Sequence, residues 1–398
     1  GKVFIITHKP LLNIVFCHKA LNMKCVALNA RFLRADMLEG YGNYVNEIFQ
    51  RLVQQHPEIQ FIYIFDHDYD SRFITGSNVL PLVVTPPARH ALSFKYWYDV
   101  KVPLALRKYS PDVLIQPYGF ASLTSAIPQL LVVHDLAFKH YPSFIPKHHL
   151  YYYRYFTPRF LKKVQGIVTV SAFSRADIIQ HYPFAADKIT VVHNAAKPGF
   201  QPLGFEERQA IKAQYAQGCE YFLFVGGIHP RKNLLHLLKA FTIFKKWQKS
   251  NMKLLVAGRL AWQYKDLLEK LDSYKHREDV VLLDYINDTA LQAIMASAYA
   301  LVYPSFFEGF GVPIIEAMQS GTPVICSNTG SLPEIAGNAA LQVSPDNVEE
   351  LAQQMQILYK DEIKRSQLIQ AGRIQAATFS WDASAADFWR AIQLVTKK

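Results

Sequence analysis

The chain has 398 residues, half of them apolar and 19% charged, with a formal charge of +11 and a pI near 9.3. That length exceeds what one hydrophobic core usually supports, so two α/β domains are expected, and the composition excludes a largely disordered chain. No run of about 18 apolar residues occurs, which excludes an obvious membrane-spanning helix, while the positive charge favours anionic partners such as nucleotide diphosphates or lipid phosphates. Cys17, Cys25, Cys219 and Cys326 lack zinc or disulfide spacing, consistent with a reducing cytoplasm.

Residues 1–22 read as an upstream extension or a short added strand, with Met23 as a natural start. Pro10 and scattered His and Lys interrupt the apolar core that a signal peptide needs. From Lys24 a buried-type strand runs to Asn29, followed by a glycine turn, Gly40-Tyr41-Gly42, and a helix marked by Val45, Ile48, Phe49, Leu52 and Val53. Strands follow at 61–65, 79–84, 113–116, 130–133, 167–170 and 189–192, with helical text between several of them. This is an open α/β sheet.

After a linker near 197–205, rich in Pro and Gly, strands at 221–225, 253–257, 280–283, 300–303 and 323–326 alternate with helices. The domains are therefore 23–200 and 201–380, with a last helix within 381–398 that could pack back on the first. No solenoid repeat is present, and no nucleic-acid-binding signature accompanies the basic charge.

The richest segment is Glu308-Gly309-Phe310-Gly311-Val312-Pro313-Ile314-Ile315-Glu316. It places two glycines between a strand end and a helix whose first turn suits Pro313, a site where backbone N–H groups can face a phosphate. Glu308 and Glu316 could both accept hydrogen bonds from sugar or ribose hydroxyls, or merely favour a helix N-terminus. A second glycine turn, Gly226-Gly227, leads to His229-Pro230-Arg231-Lys232-Asn233, where the two cations can reach a diphosphate. In the first domain the strand at 130–133 ends in His134-Asp135, at the carboxyl edge where such sheets bind ligands.

Asp66-His67-Asp68, with Asp70 nearby, imitates a metal-holding Asp-x-Asp motif, but acidic clusters after strands are usually solvated loops. The aromatic and basic stretches 94–108 and 151–163 fit either a lipid-facing surface or ordinary amphipathic helices.

On these motifs the chain resembles the retaining group 1, or family four, glycosyltransferases of the GT-B architecture, two doubly wound Rossmann-like domains facing each other across a cleft. The resemblance runs from Lys24 to the C-terminus and is strongest between Tyr221 and Glu334, where Glu308 and Glu316 match the family's pair of glutamates seven residues apart. It implies that Glu308 contacts the transferred sugar, that Phe310 and Gly311 offer N–H groups to it, and that Glu316 binds the ribose. It further implies that Arg231 and Lys232 hold the diphosphate beside Gly226, Gly227 and Gly309, and that Ile286 contacts the base. His134 would lie near the sugar, oriented by Asp135, and Gly40 and Gly42 near the phosphates and acceptor. Many members carry Arg where Gly227 stands; Arg231 is assigned that charge.

The expected function is transfer of a sugar, from GDP-mannose on the strength of the Pro-Arg-Lys-Asn variant, to a glycan or lipid-linked glycan. No metal or other cofactor and no nucleic-acid partner is expected. The setting is cytoplasmic, at the inner face of the membrane where a lipid-linked acceptor would lie. The alternatives are a nucleotide-sugar epimerase of the same architecture and a silent nucleotide-sugar-binding protein.

Overall fold

A computed structural model describes residues 23–397, apart from 35–37, 39, 89–90, 260–272 and 285. The expected extension 1–22 lies outside the described residues. Thirteen strands form two parallel sheets among them. The first contains β1 (Cys25–Asn29), β2 (Gln60–Phe65), β3 (Val79–Val83), β4 (Val113–Gln116), β5 (Gln129–Val132), β6 (Gly166–Thr169) and β7 (Ile189–Val191), in the order β3-β2-β1-β4-β5-β6-β7. The second contains β8 (Tyr221–Val225), β9 (Lys253–Ala257), β10 (Val280–Asp284), β11 (Ala300–Tyr303), β12 (Val324–Ser327) and β13 (Ala340–Val343), ordered β10-β9-β8-β11-β12-β13.

Both orders reverse direction beside the first strand of their domain, and in doubly wound sheets the crevice at the carboxyl ends near that reversal takes the ligand. Central strands such as β4 and β8 are buried at every residue, as helices on both faces of a parallel sheet require. Their near-continuous apolar text made them readable. β13 escaped notice because its Ala-Leu-Gln-Val is a short edge with three half-buried positions.

Two details differ from expectation. Gly40-Tyr41-Gly42 is not a turn before the helix but the first turn of the helix Gly40–Gln55 itself. Gly42 is required by close packing: a Cβ there would come within 2.8 Å of both Phe32 O and the Leu38 side chain. The Arg231-Lys232 pair does not open the following helix. It sits in a separate 3-10 turn, Pro230–Lys232, and Asn233 (φ 62°) redirects the chain into the helix Leu234–Gln248.

The chain crosses between domains near 192–204 and again near 377–380. Trp381–Thr396 then returns as a helix onto the first domain, where Phe388 packs edge-on to Phe49 and Trp389 stacks on His56 with centroids 3.7 Å apart. The two crossings are pinned together: Trp381 Nε1 donates to Ala196 O (2.9 Å) and the Phe379 ring meets His193.

Candidate active site

Three strand ends, those of β5, β8 and β11, deliver the chemistry to one place. After β8 the chain turns at Gly226, whose φ of 137° suits glycine. The turn packs so tightly on the β9 end that a Cβ at Gly258 would lie 2.0 Å from Gly226 O. The Lys232 side chain folds over Gly226 and ends at β11: its Nζ lies 2.5 Å from the Tyr303 hydroxyl and 2.7 Å from Glu308 Oε1. Arg231 Nη1 donates to Phe307 O (2.6 Å) and lies 3.2 Å from Glu308 Oε2.

A buried carboxylate thus lies between two half-buried cations, and the electrostatics follow. Burial works against the charge of Glu308, but Arg231 and Lys232 more than offset it and hold its acid down to about 2. Burial and the neighbouring Arg231 lower the Lys232 ammonium, with Glu308 opposing them in part. Burial also disfavours the Arg231 cation, yet Glu308 and Asp135 hold it more firmly protonated than usual.

The loop after Glu308 shows how its amides are aimed. Ser331 Oγ donates to the carbonyls of Glu308 (2.9 Å) and Phe310 (3.0 Å), while Ser171 and Ser174 hydroxyls donate to Gly309 O at 2.8 and 3.2 Å. With these carbonyls engaged, the amides of Gly309, Phe310 and Gly311 have no protein acceptor among the described residues. Gly311 (φ 99°) caps the helix Val312–Gln319, with Pro313 in its first turn as expected, so the dipole end and free amides form an anion site.

Gly309 also has a steric role. A Cβ on it would come within 2.3 Å of His134 O, so the loop of one domain abuts the β5 end of the other. His134 stands against the rings of Tyr41 (4.4 Å) and Tyr44 (5.3 Å). Its orienting partner is not Asp135 but Pro117 O, 3.2 Å from Nε2; Asp135 Oδ1 instead accepts from the Ala137 amide (2.9 Å). Because a carbonyl only accepts, Nε2 carries the proton and Nδ1 is left as an acceptor. Burial pushes the imidazole down to about 4, so it is neutral at pH 7.

Beside it opens a cavity of ≈ 410 Å³ lined by aromatic rings, among them Tyr41, Tyr118, Phe120, Tyr141 and Tyr153, and reached by Arg231 and His229. His229, lowered to about 4 by burial and by the two cations, is likewise neutral. It was not singled out in the sequence, nor were Tyr303 and Ser331.

The remaining candidates stand apart from this cluster. Glu316 is buried near Lys197 and Asp288; burial pushes its acid up to about 7 and Lys197 only partly opposes this. Ile286 follows β10 and packs against the core, while Asn287 caps the next helix. Asp66 is committed elsewhere, 3.0 Å from Arg31 Nη2 and accepting from the Ala88 amide, so its oxygens are not free for the Asp-x-Asp role. The stretch around Phe94–Tyr98 is largely core, since Trp97 and Tyr98 are buried and the Trp97 indole donates to Val84 O.

Comparison with known proteins bears on this arrangement directly. Residues 206–375 match the family described as glycosyl transferases group 1, and residues 38–198 match glycosyltransferase family 4. O-antigen chain mannosyltransferase B of Escherichia coli is 33% identical over 359 residues, covering 87% of this chain and 93% of that protein. The chain belongs to the group 1 glycosyltransferases. O-antigen chain mannosyltransferase RfbU of Salmonella typhimurium is also 33% identical, over 63% of this chain and 67% of its own length. The crystal structure of WaaG, a glycosyltransferase involved in lipopolysaccharide biosynthesis, superposes with a TM-score of 0.71 at 14% identity, covering 92% of this chain and 98% of that one. This group 1 glycosyltransferase therefore has the GT-B fold and is an enzyme that transfers a sugar; the epimerase alternative is not favoured.

Proposed function

We propose that the protein transfers mannose from GDP-mannose, with retention of anomeric configuration and without a metal, to a growing glycan on a lipid carrier. The observation that carries the transfer chemistry is the Arg231–Glu308–Lys232 cluster facing the free amides of Gly309–Gly311. Support for the sugar and the acceptor comes from the O-antigen mannosyltransferases that the chain resembles over most of its length.

In this reading the donor's diphosphate lies across Arg231, Lys232 and the amide-lined turn, where Glu308 is the carboxylate paired with both cations. As the anomeric C–O bond lengthens, charge grows on the leaving diphosphate and these fixed donors stabilise it. Glu308, ion-paired on both oxygens and strongly acidic, is a weak nucleophile. It orients sugar hydroxyls, and the acceptor attacks from the leaving-group face while the departing phosphate takes its proton. Glu316 accepts from the ribose and Ile286 borders the base. The aromatic cavity beside His134 takes the acceptor sugar against its rings, with Nδ1 accepting a hydrogen bond from a sugar hydroxyl while the proton of the attacking group goes to the departing phosphate.

The lipid-facing surface is the helix Lys147–Lys163. Tyr152, Tyr153, Phe156 and Phe160 turn inward, while Tyr151 (67% exposed), Tyr155, Arg154, Arg159 and Lys162 share the outer face. Among the described residues no helix is long and apolar enough to cross a membrane, so contact would be peripheral, on a cytoplasmic leaflet.

The test is a panel of nucleotide sugars, following nucleotide diphosphate release with and without a lipid-linked acceptor and reading the product's anomeric configuration by NMR. Acceptor-dependent release from GDP-mannose alone, undiminished by chelator, is expected. Release that needs another donor, or manganese, would overturn the proposal, and donor conversion without acceptor would reinstate the epimerase. Co-sedimentation with anionic vesicles at low salt, absent in the Tyr151→Ala, Tyr155→Ala double variant, tests the surface.

A further inference from the structure

A second cluster of titratable side chains lies outside the transfer site. His140 ends the short helix Ala137–His140, and Asp177 and His181 lie one turn apart on the helix Ala172–His181. His140 Nε2 is 2.8 Å and His181 Nδ1 is 3.1 Å from the same oxygen, Asp177 Oδ1. Among the described residues this trio alone brings three such ligand atoms together, all within 4.8 Å of one another.

The Asp177 side chain is only 4% exposed, and its Oδ2 is buried without a hydrogen-bond partner. An aspartate placed only to tie down two imidazoles would be expected to satisfy both oxygens, because an unpaired buried acceptor is costly. His140 Nε2 and His181 Nδ1, the latter also 3.0 Å from the Asp177 backbone carbonyl, instead converge on one carboxylate oxygen and leave the other unpaired. We propose that His140, Asp177 and His181 form a binding site for a divalent transition-metal ion of the zinc class.

Two imidazoles and one carboxylate suit zinc, cobalt or nickel, not magnesium or calcium, which prefer all-oxygen sets. Metal–ligand bonds of about 2.0–2.2 Å in a tetrahedron set ligand–ligand separations near 3.3 Å. The two separations from Asp177 Oδ1, 2.8 and 3.1 Å, need to widen only by tenths of an ångström. The rings, 33% and 27% exposed, leave an entry path and a fourth position for water.

The ion would be structural, since the site supplies none of the groups assigned to the donor. It would fix His140, which stacks on Phe307 with centroids 4.7 Å apart, and Phe307 O receives the Arg231 guanidinium. Occupancy would thus stiffen the platform behind Glu308 without entering the reaction.

The test uses the full chain, stripped with chelator, returned to chelator-free buffer and titrated with zinc chloride by calorimetry, with cobalt absorption reporting coordination. One equivalent should bind with a tetrahedral cobalt spectrum and raise the melting temperature. His140→Ala and His181→Ala, partly exposed positions whose folding circular dichroism verifies, should each weaken that equivalent at least tenfold. The His148→Ala, His149→Ala double variant should bind as wild type. Absence of a tight equivalent, its persistence in both single variants, or its loss in the double variant overturns the site.

Discussion

Lys232 Nζ approaches Glu308 Oε1 to 2.7 Å inside the protein, across the gap between the β8 and β11 loops. Removing one partner of such a buried pair strands the other, at a cost of about 3 kcal/mol or more in stability. Because the same cation is assigned to the leaving diphosphate, Lys232→Ala should also lower kcat by two orders of magnitude or more. Arg231→Ala should do likewise, and melting curves separate the two effects. Changes below about threefold in kcat for both variants would contradict the assignment.

The pH profile offers a second check. Free histidine titrates near about 6.5, but burial holds His134 and His229 near 4 and the paired Glu308 near 2. All three therefore keep one protonation state from about pH 5 upward. With saturating donor, kcat should show no acid limb in the ordinary histidine range. A limb near 6.5 that His134→Asn removes would show the imidazole to be more exposed than its contacts with Pro117, Tyr41 and Tyr44 indicate.

Glu316 predicts the reverse kind of dependence. Its acid rises to about 7 on folding because burial outweighs Lys197, so the folded state binds the proton more tightly than the unfolded state. The stabilisation is complete below the unfolded value of about 4.5 and is lost as pH rises through 7, amounting to at most about 3 kcal/mol. Glu316→Gln, uncharged throughout, should gain stability relative to wild type between pH 5 and 8. Denaturant unfolding at both pH values measures this, and a constant difference would refute it. Bound donor should shrink the gap by giving the carboxylate ribose hydroxyls to accept from.

The strands were readable because a doubly wound sheet buries both faces, so β8 and β11 are unbroken apolar runs between turn signals and β4 departs from one only at Gln116. Glu308, Arg231 and Lys232 were readable because glycines mark the turns that bring them together. Tyr303 and Ser331 were not, since what makes each matter is a partner far along the chain: Lys232 for Tyr303, and the Glu308 and Phe310 carbonyls for Ser331. The same limit explains the misassigned partner of His134. Adjacent Asp135 was the visible choice, yet the strand geometry turns the ring toward Pro117 and leaves Asp135 to cap its own turn.

Domain closure rests on a contact that sequence spacing cannot reveal. Glu334, on the second-domain helix Leu332–Ala336, accepts from the amides of Ala172 (2.8 Å) and Phe173 (2.9 Å) at the start of a first-domain helix, one with each oxygen. Burial opposes its charge, but His193 and the two amides prevail and lower its acid below the ordinary range. A carboxylate at a helix N-terminus contributes about 1–2 kcal/mol, here spent on holding the two domains together. Beside it Ser171 and Ser174 reach Gly309 O, so closure and the aim of the Gly309–Gly311 amides share one interface. Glu334→Ala should therefore shift the protein toward open forms, seen as a larger radius of gyration in solution scattering, and raise the donor KM several-fold. Because the folded acid is depressed, this clamp persists above the unfolded carboxylate range and weakens as pH falls through the folded value. Glu334→Gln keeps one acceptor oxygen and loses the charge, so it should fall between wild type and alanine. If alanine leaves both scattering and KM unchanged, the serine contacts and the paired crossings at Ala196 and Trp381 hold the domains without Glu334.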